Sequence, residues 1–478
     1  MRKGNIFRKP AFNIIVTLLL IVSLAFFYKY AMNHYTESLE KDLETLDTER
    51  LSQIEAMPKT IDDALDAIGN PKSIRTIDKV LLEYCKENIK ETIYDDIFNY
   101  LKTNKYSDDM WETLCGYTLK ALYDLANGIA DEYNYIVRDA DDMLTLAFAG
   151  DVSLDTKWDW SPLYVHSKNR DNLLEAAFSE NLSQRMLDAD IFCLNLESPF
   201  VEAGGKAVDN FWRHYSDPEN VDVLNTIGAD LVNIANDRIY DYSAKGLGDT
   251  INALHDSGIM YIGAGEDLED ATLPRYVIAG GRKIAIVAST APTTAPEATE
   301  NSEGLIYSSK SKHFISMIKK AEENADYVIV YIDWGNGNNE RADDTQKDLA
   351  YSFINSGADI VIGCRAMVMQ SIEYYKGKPI IYGLGNFWYE TDAHNTIFLE
   401  VKFSREEILP EDENSKKSTV TYMMEEEPMV YCLPCVQRGA VVTLVQGTNA
   451  GNTIINKLMQ ISDNNISIDE NGLLSQAE

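Results

Sequence analysis

Histidine is scarce in this chain. Its 478 residues hold six, His34, His166, His214, His255, His313 and His394, and none lies in the Asn-, Asp- and Glu-bearing motifs that end its apolar runs. A metal centre built mainly on imidazole is therefore excluded at those motifs. Basic residues are also few: Lys and Arg number 43 against 76 Asp and Glu, for a net charge of −33. Such a surface repels nucleic acid and anionic headgroups, so no nucleic-acid partner is expected. It reads first as a solvated acidic exterior, and more weakly as an attractor of cations. Six cysteines are too few for a disulfide-built scaffold, and Cys85, Cys115, Cys193 and Cys364 are scattered. Cys432 and Cys435 form a close pair without an evident following helix, which points to a local disulfide or two free thiols rather than a catalytic dithiol.

Long apolar runs are confined to the start. Residues Ala11 to Tyr28 are almost wholly apolar, with Asn13, Thr17 and Ser23 as the main polar interruptions. As a helix they would extend about 27 Å, close to one hydrocarbon core. Arg2, Lys3, Arg8 and Lys9 precede them without an acidic residue, which predicts a cytoplasmic N-terminus and an extracytoplasmic remainder. The bulky stretch Phe26 to Tyr30 offers no small-residue cleavage site, so an uncleaved membrane anchor is preferred to a signal peptide.

Four regions follow. Residues 1–30 are a basic flank and transmembrane anchor. Residues 31–142 carry apolar residues at helical spacing and predict an extracytoplasmic helical stalk or bundle. From Met143 short apolar runs alternate with amphipathic stretches, so residues 143–403 predict an α/β domain with mixed sheets covered by helices. Helices are expected over Asp171 to Leu187, Ser243 to Ser257, His313 to Ala325 and Asp343 to Ser356. Residues 404–478 read as a charged insertion from Arg405 to Glu427, a short β segment at Gly439 to Gly447, and a poorly packed tail from about Ser462.

The chemistry-bearing residues fall at strand ends. Gly150-Asp151 closes the run Leu144 to Gly150, in the manner of a carboxylate projecting from a tight turn. Asn195 and Glu197, two residues apart on a strand, share one face. Asn236-Asp237-Arg238, Asp241, Asp333-Trp334-Gly335, Gly363-Cys364-Arg365-Ala366-Met367 and Gly383-Leu384-Gly385-Asn386-Phe387 follow in order. Asp151 could equally cap its turn, and Asn236 could satisfy buried backbone groups. Trp334, Phe387 and Trp388 read as core or cleft wall, and Gly263-Ala264-Gly265 as a tight turn.

This ordered series, over Met143 to Phe403, resembles the bacterial capsule or poly-γ-glutamate synthesis protein family of CapA type. The resemblance implies a calcineurin-type metallophosphoesterase-like fold, many members being membrane-anchored. It also implies a role in making, exporting or anchoring an anionic γ-linked glutamate polymer or capsule. The chain departs from that pattern at every family histidine. Asn-Asn-His becomes Asn236-Asp237-Arg238, His-Trp-Gly becomes Asp333-Trp334-Gly335, and Gly-His-His-Pro-His becomes Gly363 to Met367.

If Asp151, Glu197, Asp237 and Asp333 converge, they cannot all stay ionised without a compensating cation. A hard ion such as Mg²⁺, Mn²⁺ or Ca²⁺ could use the oxygens of Asp151, Glu197, Asn236 and Asp333. Alternatively Arg238 and Arg365 supply the charge and no cofactor is needed, which is the preferred expectation because fixed cations weaken a metal site. Three functions are thus carried forward. One is a membrane-anchored, non-catalytic relative that binds polymer or other envelope synthesis proteins at the outer face. The others are a divergent hydrolase or transferase with a carboxylate-bound metal, and a scaffold acting through its helical region.

Overall fold

The computed structural model describes residues 135–137 and 143–477, apart from 169, 203–206, 209–212, 280–281, 309–311, 409–420, 425–426 and 464. The expected membrane anchor and nearly all of the expected helical region lie outside the described residues. Tyr135–Val137, the described piece of that region, is a strand rather than a helix, in keeping with its aromatic and β-branched residues. Among the described residues no helix is long and apolar enough to cross a membrane. The chain divides into two compact units, one of residues 1–139, 277–282 and 406–423 and the other of 140–276, 283–405 and 424–478. The second carries every motif discussed above.

Two sheets form the centre of this larger unit. The first contains β1 (Met143–Val152), β2 (Ile191–Leu196), β3 (Leu231–Asn233), β4 (Met260–Ile262), β11 (His394–Ile408), β12 (Met429–Arg438) and β13 (Val441–Leu444), in the order β13-β12-β11-β1-β2-β3-β4. The strands β1 to β4 are parallel, whereas β11 runs antiparallel to β1. In the second sheet β5 (Arg282–Thr290), β6 (Tyr327–Asp333), β7 (Ile360–Cys364) and β9 (Lys378–Ile381) are parallel neighbours, and β8 (Ile372–Tyr375) closes on β9 as a hairpin. The apolar runs read from the sequence are these strands, buried on both faces as parallel strands require.

The sheets face each other through alternate residues. Phe148 of β1 meets Tyr331 of β6 edge-on at 5.6 Å, and the Tyr331 hydroxyl donates to the Ala149 carbonyl. The opposite face of the first sheet sends Ala147, Phe192, Leu194 and Phe398 into a core with Leu182 and Met186 of α1 (Glu180–Asp188) and Leu247, Ile251 and Leu254 of α2 (Ser243–Asp256). On the second sheet Phe314 of α3 (Lys312–Glu322) packs on Phe353 of α4 (Asp344–Ile354), with Trp334 stacked on Phe353. A capping box starts α4: Asp343 accepts from Gln346 N at 2.9 Å, and Gln346 Oε1 accepts from Asp343 N at 3.2 Å.

Several expectations are corrected. The helix expected over Asp171 to Leu187 breaks at Phe178, whose backbone is extended, because Ser179 N donates to Val442 O of β13 at 3.0 Å. The tail expected from Ser462 is instead a hairpin, Ile466–Ile468 with Leu474–Gln476, whose Ile466, Ile468 and Leu474 are buried. Strand β11 continues to Ile408 and a strand resumes at Thr421–Met424, inside the stretch expected to be loop. A helix not expected at all, α5 (Asn449–Ile461), begins where Thr448 Oγ1 accepts from Gly451 N at 3.1 Å. Cys432 and Cys435 are free and buried. They are three apart on β12 and so project to opposite faces, which excludes the local disulfide.

Gly150 lies in a strand, not in the expected turn. Its β-partner changes there: β11 pairs with β1 only as far as Phe148, and β10 (Asn386–Trp388) takes over in parallel at Asp151. The crossing chain brings Gly385 O to 1.8 Å from where a Gly150 Cβ would stand. Replacing Gly150 by Ala is therefore expected to destabilise the protein by about 3 kcal/mol. Gly248, in α2, has open space around its Cβ position, so Gly248→Ala should stabilise by about 0.5 to 1 kcal/mol. Denaturant midpoints of the two variants would check both signs.

Candidate functional site

Strand register assembles the site from two rows of side chains. In the first sheet Asn386, Asp151, Asn195 and Asn233 are successive partners across four adjacent strands. In the second, Thr290, Asp333 and Cys364 are partners across three. Paired positions point to the same face, and here the two faces meet. Asn195 Nδ2 donates to Asp151 Oδ1 at 2.8 Å and to Glu197 Oε1 at 2.8 Å, and lies 3.4 Å from Asp333 Oδ2. Its Oδ1 accepts from Asn233 at 3.0 Å and Asn236 at 3.2 Å. Thr290 Oγ1 donates to Asp333 Oδ1 at 2.8 Å.

The expected convergence of carboxylates is thus present, and Asp151 is no turn cap. Both its oxygens accept from Arg365 N, each at 3.1 Å, from 214 positions away. Asn236 has the structural role: its Oδ1 accepts from Arg238 N and Ile239 N, and its Nδ2 donates to Leu196 O at 2.8 Å. Trp334 fills core, its Nε1 donating to Tyr382 O at 2.8 Å. Asp241 is buried, with Oδ2 accepting from His214 N at 2.8 Å, and its charge acts on Arg238 together with those of Asp237 and Glu197. Asn386 is buried beside Asp151 in the row, and its Oδ1 has no hydrogen-bond partner.

Arg238, Asp333 and Arg365, which stand where the resemblance implies histidines, are linked through Asp237. Arg365 Nη1 lies 3.3 Å from Asp333 Oδ1, and its Nη2 lies 3.8 Å from Asp237 Oδ2. Asp237 Oδ1 in turn lies 3.8 Å from Arg238 Nε. The order Arg238, Asp237, Arg365, Asp333 is a chain of alternating charge reaching from the half-exposed rim to a fully buried carboxylate. Arg365 adopts the left-handed conformation, with φ 81°, and Met367 does too, at φ 64°. For residues with side chains this costs about 1 to 3 kcal/mol each. The turn it produces lets one residue serve Asp151 with its backbone and Asp333 with its side chain.

Burial raises the Asp151 carboxyl to about 7; the bond from Asn195 opposes this, and the charge of Asp333 adds to it. Burial likewise lifts Glu197 well above the usual carboxylate range, reinforced by Asp151 and Asp333. Asp333 rises to about 6 through burial, with Arg365 pulling the other way and hydrogen bonds from Thr290 and Glu197 helping it. The Cys364 thiol is pushed up by burial and then by Asp151 and Asp333, and it donates to Ile332 O at 3.3 Å. Both arginines stay firmly charged: burial works against them, but Tyr389, Asp237 and Glu197 outweigh it at Arg238, and Asp333, Asp237 and Glu197 at Arg365.

Donor atoms of Asp151, Asp333 and Cys364 lie within 4.8 Å of one another. A pair of close cations needs several donors each plus open positions. Here the thiol is neutral, Asn195 turns its amide N–H groups to the carboxylates, Asn236 Oδ1 serves the backbone, and a guanidinium already touches Asp333. These residues do not fit a two-cation centre.

Three contributors escaped the sequence reading. Thr290 and Asn233 carry only the signal of a polar residue ending an apolar strand. The third is a buried layer behind the rim, in which His214 Nδ1 is 3.2 Å from Ser153 Oγ and Nε2 is 3.1 Å from Tyr389 Oη. Burial, then Arg238 and Lys157, lower His214 to about 3, so it is neutral. It does not replace a missing metal ligand, because both ring nitrogens are taken by hydroxyls.

The family model for the bacterial capsule synthesis protein PGA_cap matches residues 145–391, which include every residue of this site. The PGA biosynthesis protein CapA of Bacillus subtilis (strain 168) is 28% identical over 253 residues, 52% of this chain and 64% of that protein. The capsule biosynthesis protein CapA of Bacillus anthracis is 33% identical over 177 residues, 36% and 43% of the two. The chain thus spans under two thirds of the length of these relatives. A solved structure of a hypothetical protein from Thermus thermophilus covers 60% of this chain and 100% of that one at 15% identity, with a TM-score of 0.33 too low to carry an argument.

A carboxyl raised on folding stabilises the protein below its unfolded pKa, and that contribution is lost as pH rises through the folded value. His214, lowered on folding, works the other way, but its contribution is complete above its ordinary value of 6.5. The melting temperature is therefore expected to fall from about pH 6.5 to about pH 8, and Asp151→Asn should flatten that fall. Melting curves of both proteins across this window test the sign.

Proposed function

The chain belongs to the bacterial capsule synthesis protein family PGA_cap, and from that premise we propose that it serves capsule or poly-γ-glutamate synthesis, export or anchoring by binding rather than by metal-dependent catalysis. Its working place in this reading is the outer face of the membrane, held by the apolar run Ala11 to Tyr28. Its partners are the anionic polymer and other envelope synthesis proteins. The observation that carries the reading is the contact of Arg365 with Asp333 at 3.3 Å and of its backbone N–H with Asp151. A fixed cation, unable to leave or to activate water, stands where a catalytic ion would have to coordinate.

A rim bearing Arg238 and Arg365 suits carboxylates, because guanidinium pairs with them in a two-pronged geometry that a lysine lacks. The acidic remainder of the chain would hold a polyanion off elsewhere and confine attraction to this rim.

One observation favours the second reading, a divergent hydrolase or transferase with a carboxylate-bound Mg²⁺, Mn²⁺ or Ca²⁺. Asn386 Oδ1 is a buried oxygen without a partner beside Asp151, and such an atom is a ready ligand for a hard ion. Elemental analysis and calorimetry of the full-length chain in detergent, with Mg²⁺, Mn²⁺, Ca²⁺ and Zn²⁺, separate the two. The binding reading expects no stoichiometric ion. Stoichiometric binding that disappears in Glu197→Ala would establish the metal-dependent reading instead.

A further inference from the structure

Segment 335–342 leaves the C-terminal end of β6 and crosses the turn that carries Arg365. Asn338 N donates to Ala366 O at 2.9 Å, and Met367 Sδ lies 3.3 Å from where a Gly337 Cβ would stand. The next residues are tied inward, Asn339 O accepting from Gln370 Nε2 at 2.8 Å and Glu340 O from Ser371 N at 3.0 Å. Two side chains are tied outward to α5 and the residues just after it. Lys457 Nζ lies 2.6 Å from Glu340 Oε2, and Arg341 Nη1 lies 2.5 Å from Asp463 Oδ1, with Nη2 donating to Gln460 O at 3.4 Å. The same end of α5 holds the start of β8, since Ser462 Oγ accepts from Ile372 N at 2.7 Å. Residues 365–372 are thus clasped between the segment and α5. Left-handed backbone gathers along this line: among the described residues six other than glycine have a positive φ, and four of them are Arg365, Met367, Asn338 and Asp463. Asparagine and aspartate enter that region readily, whereas Arg365 and Met367 keep it only where their surroundings impose it.

We propose that segment 335–342 is a strap latched to the α5 end by the pairs Glu340–Lys457 and Arg341–Asp463, and that unlatching it lets the Arg365–Met367 turn relax and withdraws Arg365 from Asp151 and Asp333. The carbonyls held by Gln370 and Ser371 are the pivot, and the stretch 336–338 is the part that lifts. Lifting it removes the bond from Asn338 N to Ala366 O and the packing on Met367, which support the left-handed turn from the solvent side. The latch is the weak point, because its four side chains are 43 to 64% exposed and pairs of that kind are screened by salt. α5 lies beyond residues 145–391, which match the family model, so an element outside that region governs the geometry of a site within it. The inference holds whether the site binds or cleaves.

The test is amide hydrogen exchange of the full-length chain in detergent, read on peptides spanning 336–342 and 364–370. Arg341→Gln combined with Lys457→Gln is expected to speed exchange in both about tenfold and to leave β1 to β3 unchanged. Raising the salt concentration should do the same to the unaltered protein and add nothing to that variant. Glu340→Lys should give part of the increase on its own, and Glu340→Lys combined with Lys457→Glu should reverse it by restoring the pair with its charges exchanged. Faster exchange confined to α5, or none at 364–370, would overturn the strap. A rise of equal size in β1 to β3 would overturn it too, because the pairs would then be ordinary contacts that steady the whole unit. Equal salt sensitivity in the unaltered protein and the unlatched variant would overturn the ion pairs as the latch.

Discussion

Three carboxyl groups, Asp151, Glu197 and Asp333, are packed around a single amide, Asn195, at the place where two sheets present their strand ends to one another. Removing so much negative charge from water is unfavourable unless protons or cations accompany it. The protein uses both. Burial raises all three carboxyls, most usefully Asp151 and Glu197, which retain protons near neutrality, and Arg365 adds a guanidinium on Asp333 and a backbone N–H on Asp151. The left-handed backbone at Arg365 and Met367 follows from this demand, since an extended continuation of β7 would carry the arginine away from both carboxylates. The alternating chain out to Asp237 and Arg238 extends the same compensation to the rim.

The polar ends of the strands were legible in the sequence because each follows an apolar run, and strand period and parallel order bring such ends to one edge. Asn195 with Glu197, the convergence of Asp151 with Asp333, and the burial of Trp334, Phe387 and Trp388 all follow from that rule. What escaped depends on contacts between distant segments. Ser153, His214 and Tyr389 lie in three separate stretches with no shared spacing, and only the fold places one imidazole between two hydroxyls. The helix break at Phe178 is imposed by β13, more than 250 residues later in the chain. The terminal hairpin escapes a reading by pattern because its two strands hold only three residues each, too few to show alternation. Gly150 has the sequence signature of a turn residue, yet its lack of a side chain answers a neighbouring backbone rather than a positive φ.

In this member of the capsule-synthesis family, arginines rather than imidazoles stand beside the buried carboxylates. Replacing one histidine of a metal centre by arginine would leave a cation beside a cation. Here Asp237 and Asp333 supply negative charge next to Arg238 and Arg365. The outcome is a site in which acidic and basic side chains alternate from the buried Asp333 out to the partly exposed Asp237 and Arg238.

The most direct measurement of this account is a double-mutant cycle between Arg365 and Asp333, using Arg365→Met and Asp333→Asn singly and together. If the guanidinium is the resident counter-charge of the buried carboxylates, the two changes are strongly coupled, by about 2 kcal/mol or more, and the double variant is more stable than the sum of the single losses implies. Additive losses would contradict the account, because they would mean that the buried carboxylates do not depend on the arginine for their charge balance.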